Sequence, residues 1–137
     1  MDHDAALHMA AQAAAFWAAL LLLQLLVMSL LVVRQRQTHK VEFGHGEVPS
    51  LALAIRAFGN AAEYVPAGLG GLIALAAVSA PPMAIHIAGA MLMLGRVSHA
   101  IAISRSSETS ILRAAGMLLT WLAYIFQIVA LMIFALI

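Results

Sequence analysis

This chain has no cysteine. That single absence excludes a disulfide, a thiolate metal site and a cysteine nucleophile. Charge is nearly as scarce. Asp, Glu, Lys and Arg make up 9% of the 137 residues, against roughly a quarter in an average soluble domain. A chain so poor in charge cannot cover itself with a hydrated surface, which excludes an ordinary soluble globular domain. There is no glycine-rich phosphate loop, no Ser-His-Asp arrangement and no basic-aromatic surface, so nothing points to nucleotide hydrolysis, a serine hydrolase or nucleic-acid binding. Asp2, His3 and Asp4 give the opening the wrong charge for a cleavable signal peptide, and none is expected.

What fills the chain is hydrocarbon: 64% of residues are hydrophobic, and the mean hydropathy is +1.00. Four apolar segments, at about 5–33, 51–80, 83–104 and 111–137, reach the roughly 20 residues needed to cross a bilayer. With no water to satisfy a bare backbone, each is predicted to be helical. The expected fold is therefore all-α, one integral membrane domain over 1–137 built as a four-helix bundle. The connections differ. Residues 34–50 form a polar loop broken by Gly44, Gly46 and Pro49, Ala80-Pro81-Pro82 is a tight turn, and 105–110 is short and rich in hydroxyls. All seven basic residues lie in or near the first and third connections. The positive-inside rule then places those loops in the cytoplasm and both termini outside. Ala10, Ala14 and Ala18 on the first helix, and Ala67 with Gly71 on the second, read either as ridges for close helix packing or as ordinary alanine-rich composition.

Against this background the few polar residues stand out. Arg56, Asn60 and Glu63 are spaced i, i+4, i+7 and stack along one stripe of the second helix. Arg96 and His99 are spaced i, i+3 on the third. Counting back about 20 residues from the outer helix ends brings both groups to the inner edge of the bilayer, level with Arg34 and Arg113. Ionisable groups in membrane segments are costly and normally face a protein interior or a wet cavity. Two readings stand. Glu63 could form a structural ion pair with Arg96 or Arg56, locking helices two and three. Alternatively, Arg34, Arg56, Arg96 and Arg113, which outnumber the one nearby acid, call for an anionic ligand. A proton-coupled carrier using Glu63 and His99 is a weaker third. His99 could pack, donate to a ligand or shuttle a proton.

The residues now assembled resemble a known pattern. Arg56-x-x-x-Asn60-x-x-Glu63, followed by Tyr64 and Pro66, resembles the signature of the MAPEG family, membrane-associated proteins in eicosanoid and glutathione metabolism. Gly95-Arg96-Val97-Ser98-His99 is similar to the family's block on helix three, and Arg34-x-Arg36 fits the end of helix one. The likeness extends over the whole chain and has the flavour of the short bacterial members. It implies a four-helix protomer of a homotrimer in a bacterial inner membrane, with glutathione as cosubstrate bound between protomers on the cytoplasmic side. It implies transferase or peroxidase activity on a small hydrophobic electrophile. Arg34, Arg56, Asn60, Glu63, Arg96 and His99 would lie in or beside the glutathione site, and Arg113 would stabilise the thiolate, with Arg105 as its competitor. Two departures are visible: Ile103 stands where many members carry a tyrosine, and Phe58 where relatives often have a polar residue.

Overall fold

The computed structural model describes residues 3–136; Asp2 and the expected helix end at Ile137 lie outside them. Four helices account for nearly all of it: α1 (His3–His39), α2 (Pro49–Ala77), α3 (Pro82–Arg105) and α4 (Ile111–Phe134).

Three helix ends differ from expectation: α4 stops at Phe134 rather than 137, and the other two differ for local reasons. α1 runs six residues beyond Val33, through Arg34 and Arg36 to His39. Arg and Gln are good helix formers, and the Thr38 hydroxyl donates to the Arg34 carbonyl at 2.9 Å. The helix stops at Lys40, whose φ of 54° is left-handed. Its 37 residues span roughly 55 Å, well beyond a hydrocarbon core of about 30 Å, so the polar end stands in water. α2 instead ends early. Ser79 adopts φ 53°, while the Ala80 amide reaches back to the Leu75 carbonyl at 3.0 Å and the Ser79 amide to Ala76 at 3.0 Å. That paired closure terminates the helix three residues before Ala80. Pro81 and Pro82 then open α3.

Among the described residues three helical stretches, 4–39, 82–105 and 111–134, are long and apolar enough to cross a membrane. α2 is long enough but not apolar enough, because Arg56, Asn60, Glu63 and four glycines dilute it. Its neighbours cover part of it and leave Arg56 and Glu63 exposed. α2 and α3 each touch every other helix, whereas α1 and α4 do not meet. The bundle is thus a central α2–α3 pair flanked by α1 on one side and α4 on the other. Leu21, Val65, Leu72, Leu75, Ile85 and Leu92 fill the centre, while large side chains such as Leu22, Leu26, Leu30 and Ile128 point outward. The α1 ridge is buried at Ala10 and Ala14 and half-buried at Ala18, with Ala13 buried beside it. On α2, Ala67 is exposed, Gly71 lets Gln127 of α4 approach closely, and Gly68 does the same for Leu92.

Candidate functional site

α3 and α4 cross at a pair of glycines. A Cβ on Gly95 would stand 2.9 Å from the Gly116 carbonyl, and one on Gly116 would stand 2.7 Å from the His99 amide nitrogen. Backbone meets backbone there, so any side chain would force the helices apart. The close approach presses Thr120 of α4 against Arg96 of α3.

Arg96 is 1% exposed. Its Nε donates to Thr120 Oγ1 at 2.9 Å, and one terminal nitrogen donates to Asn60 Oδ1 at 2.8 Å. Its guanidinium carbon lies 4.9 Å from the centre of the Tyr64 ring, a cation–π contact. The other terminal nitrogen is buried without a partner. Thr120 is used twice, since its hydroxyl also donates to the Gly116 carbonyl at 2.9 Å. Tyr124 of α4 donates to the Tyr64 carbonyl. Arg96 therefore joins α2, α3 and α4 through neutral groups. The ion pair expected between Glu63 and Arg96 or Arg56 does not form among the described residues. Asn60, one turn before Glu63, presents its amide oxygen to Arg96 instead, while Glu63 is exposed.

Beside this buried knot lies a cavity of about 480 Å³ between α2, α3 and α4. Arg56, Asn60 and Glu63 form one wall, His99 a second and Arg113 a third. With Asn60's oxygen tied to Arg96, its amide nitrogen is the group left for a ligand. Arg113 enters through the start of α4. Ser110 caps that helix by accepting from the Arg113 amide at 3.2 Å, and Nη1 of Arg113 donates to the Ser107 carbonyl at 3.3 Å. The first turn of a helix carries a partial positive charge, and Thr109, Arg113 and Ala114 line the cavity there. Two guanidinium groups thus face one carboxylate. The cavity carries one surplus positive charge and both kinds of ionic partner.

The structure sorts the residues expected at the site. It brings together Arg56, Asn60, Glu63, His99 and Arg113. It sets Arg96 behind them as a support rather than in the lining. Arg34 stands on α1, on the far side of the α2–α3 pair, and does not reach this cavity within one chain. Arg105 turns to a different groove, leaving Arg113 as the cavity arginine from the third connection. Ile103 does line the cavity, so the departure noted in the sequence puts an aliphatic wall there. Phe58 packs against the Met28, Ala57 and Ala61 cluster rather than facing the cavity. Thr120 escaped the sequence reading. Its only signal was a lone hydroxyl in an apolar segment, one turn after Gly116.

Residues 14–133 match the MAPEG family. Inner membrane protein YecN of Escherichia coli K12 is 33% identical over 116 residues, covering 85% of this chain and 87% of YecN, and YecN of Escherichia coli O6:H1 matches to the same extent. A match over this much of the chain shows that it is a four-helix membrane protein of one lineage with these relatives, and the chain belongs to the MAPEG family.

Proposed function

We propose that the chain is a glutathione-dependent transferase or peroxidase acting on a small hydrophobic electrophile, with glutathione held in the α2–α3–α4 cavity. The observation that carries this reading is the mixed charge of the lining. Glutathione offers two carboxylates, one ammonium and a thiol. Arg56 supplies a fork-shaped donor for a carboxylate, Glu63 an acceptor for the ammonium, and Asn60 an amide for the peptide backbone. Arg113, at the first turn of α4, favours the thiolate over the thiol. The thiolate is the nucleophile, so no protein nucleophile is required. In the transferase reaction sulfur forms the new bond to the electrophile and the leaving group departs with its electron pair; with a peroxide sulfur takes one oxygen, the alkoxide departs, and a second glutathione converts the sulfenic acid to disulfide and water.

Arg56 and Glu63 are both exposed in the single chain, which favours a site closed by a neighbouring protomer in a homotrimer. Arg34 contributes only from such a neighbour, because its own α1 does not meet α4. The basic ends of α1 and α3 face the cytoplasm in this reading, placing both termini in the periplasm. The competing account is a non-catalytic bundle held by a structural Arg/Glu network. It has one supporting observation, the Arg96 link between Asn60 and Thr120, but Glu63 is not part of that link.

Calorimetry on the protein purified in detergent tests the proposal. Glutathione binds the wild type, and Arg56→Ala weakens binding. Negligible binding by both overturns the glutathione reading and favours the structural account. Ultraviolet absorbance of bound thiolate then separates the two arginines: Arg113→Ala loses the signal and Arg105→Ala keeps it.

A further inference from the structure

The cavity has a neighbour that the proposed chemistry does not use. Between α1, α2 and α3 runs a groove of about 540 Å³. One wall is α1 from Leu20 to Leu31, and the other is α3 from Met93 to Arg105. Ala54 and Ala57 of α2 form its floor. At about 1.5 Å per residue these walls are roughly 17 Å long. That is close to one leaflet, half of a hydrocarbon core about 30 Å thick. The lining is almost wholly aliphatic, and its small residues Ala54, Ala57 and Ala100 give it depth. Polarity is confined to two places. Gln24 lies part of the way along, with a buried amide oxygen that has no partner. Ser104 and Arg105 sit together at the end shared with the other basic residues, and Arg105 is exposed and lacks a carboxylate partner among the described residues.

The groove and the cavity occupy different faces of the α2–α3 pair. Ala57, Ala61 and Ile103, packed with Met28, lie between them. A molecule in the groove therefore does not reach Arg56 or Arg113, which argues against a second substrate there.

We propose that this groove holds one acyl chain of an anionic membrane phospholipid, its phosphate at Arg105 and Ser104 and its tail running toward Leu20 and Met93. Length matches one leaflet, the walls match methylene groups, and the single unpaired cation matches the phosphate. A zwitterionic lipid fits the walls equally well but brings its own cation, so the preference for anionic headgroups rests on Arg105 alone.

Native mass spectrometry of the full chain in mild detergent decides the matter. The protein is offered equal amounts of phosphatidylglycerol and phosphatidylcholine with identical tails. Wild type is expected to retain one phosphatidylglycerol per chain and to melt at a higher temperature with that lipid than with phosphatidylcholine. Arg105→Gln is expected to lower phosphatidylglycerol retention about ten-fold, to the phosphatidylcholine level, as for loss of a charge-assisted contact. Val97→Trp fills the groove and removes both lipids. Leu23→Trp repeats that test from an exposed wall position, where folding is not at stake. The proposal is overturned if wild type retains no lipid or if Arg105→Gln keeps the wild-type preference. It is equally overturned if lipid-free wild type is oligomeric and Val97→Trp breaks the oligomer, since a second copy then covers the groove. These readouts stand whether or not glutathione binds.

Discussion

The cavity and the groove are nearly equal in volume, about 480 and 540 Å³, and share two helices, yet their chemistry is opposite. On α2 the groove takes Ala54 and Ala57, and the cavity takes Arg56, Asn60 and Glu63. On α3 the groove takes Val97, Ala100 and Arg105, and the cavity takes His99 and Ile103. A period of 3.6 residues allows one helix to show lipid-like side chains on one face and ionic ones on the other. The central pair can do this because a flanking helix covers each side. α4 brings Arg113 and Thr120, making the polar side affordable, while α1 brings only Gln24 and aliphatic residues to the other.

That contrast can be broken most sharply at the α3–α4 crossing. Gly116→Val drives a side chain into the backbone of α3 from 2.7 Å. The expected cost is about 3 kcal/mol, read as a large fall in melting temperature in detergent. Gly59→Ala, with nothing within 4 Å of its added carbon, serves as the control. Equal melting of the two variants sinks the close crossing and, with it, the support of the cavity.

The next largest effect separates the two sides by ligand. Arg56→Ala is expected to weaken glutathione binding by about 2 kcal/mol, as for loss of a hydrogen bond to a charged group. Arg105→Ala, on the groove side, leaves it unchanged by calorimetry. A comparable loss in both variants means that the two arginines serve one site.

A smaller change tests what stands behind the cavity. Thr120→Val removes the acceptor of the Arg96 Nε and leaves a buried charged donor unpaired. The expected loss of stability is about 1.5 kcal/mol, with Thr120→Ser close to wild type. If Val and Ser variants melt together, the hydroxyl is not what holds Arg96.

The smallest effect lies at the other end of the bundle. Trp17 Nε1 donates to His86 Nδ1 at 3.0 Å, so Trp17→Phe is expected to cost about 0.6 kcal/mol, a typical value inside membrane bundles. Glutathione affinity should not move. A shift in affinity shows that the two ends are coupled.

Much of this is legible in the sequence. Four long apolar runs separated by proline, glycine and basic residues predict four helices, and the i, i+4, i+7 spacing puts Arg56, Asn60 and Glu63 on one stripe whatever the packing. Helix limits were less legible where local capping decides them. α1 continues through Arg34 because polar residues can be helical in water, and α2 stops at Ala77 because Ser79 accepts a left-handed turn. Partners were not legible at all. Spacing alone offers Glu63 as the counter-ion of Arg96 or Arg56, but the register of α2 against α3 delivers Asn60 to Arg96 instead.

Composition and spacing by themselves determined that this is a helical membrane protein with a polar stripe, because burying unpaired backbone or scattered charge in hydrocarbon is too costly to permit another arrangement. Tertiary structure alone decided which arginine does what. Arg96 is buried, Arg113 faces the cavity, Arg105 faces the groove and Arg34 stands apart on α1. The physical reason is that rotation and depth of each helix are set by contacts between helices, above all Gly95 against Gly116, and a single residue's identity carries no record of them.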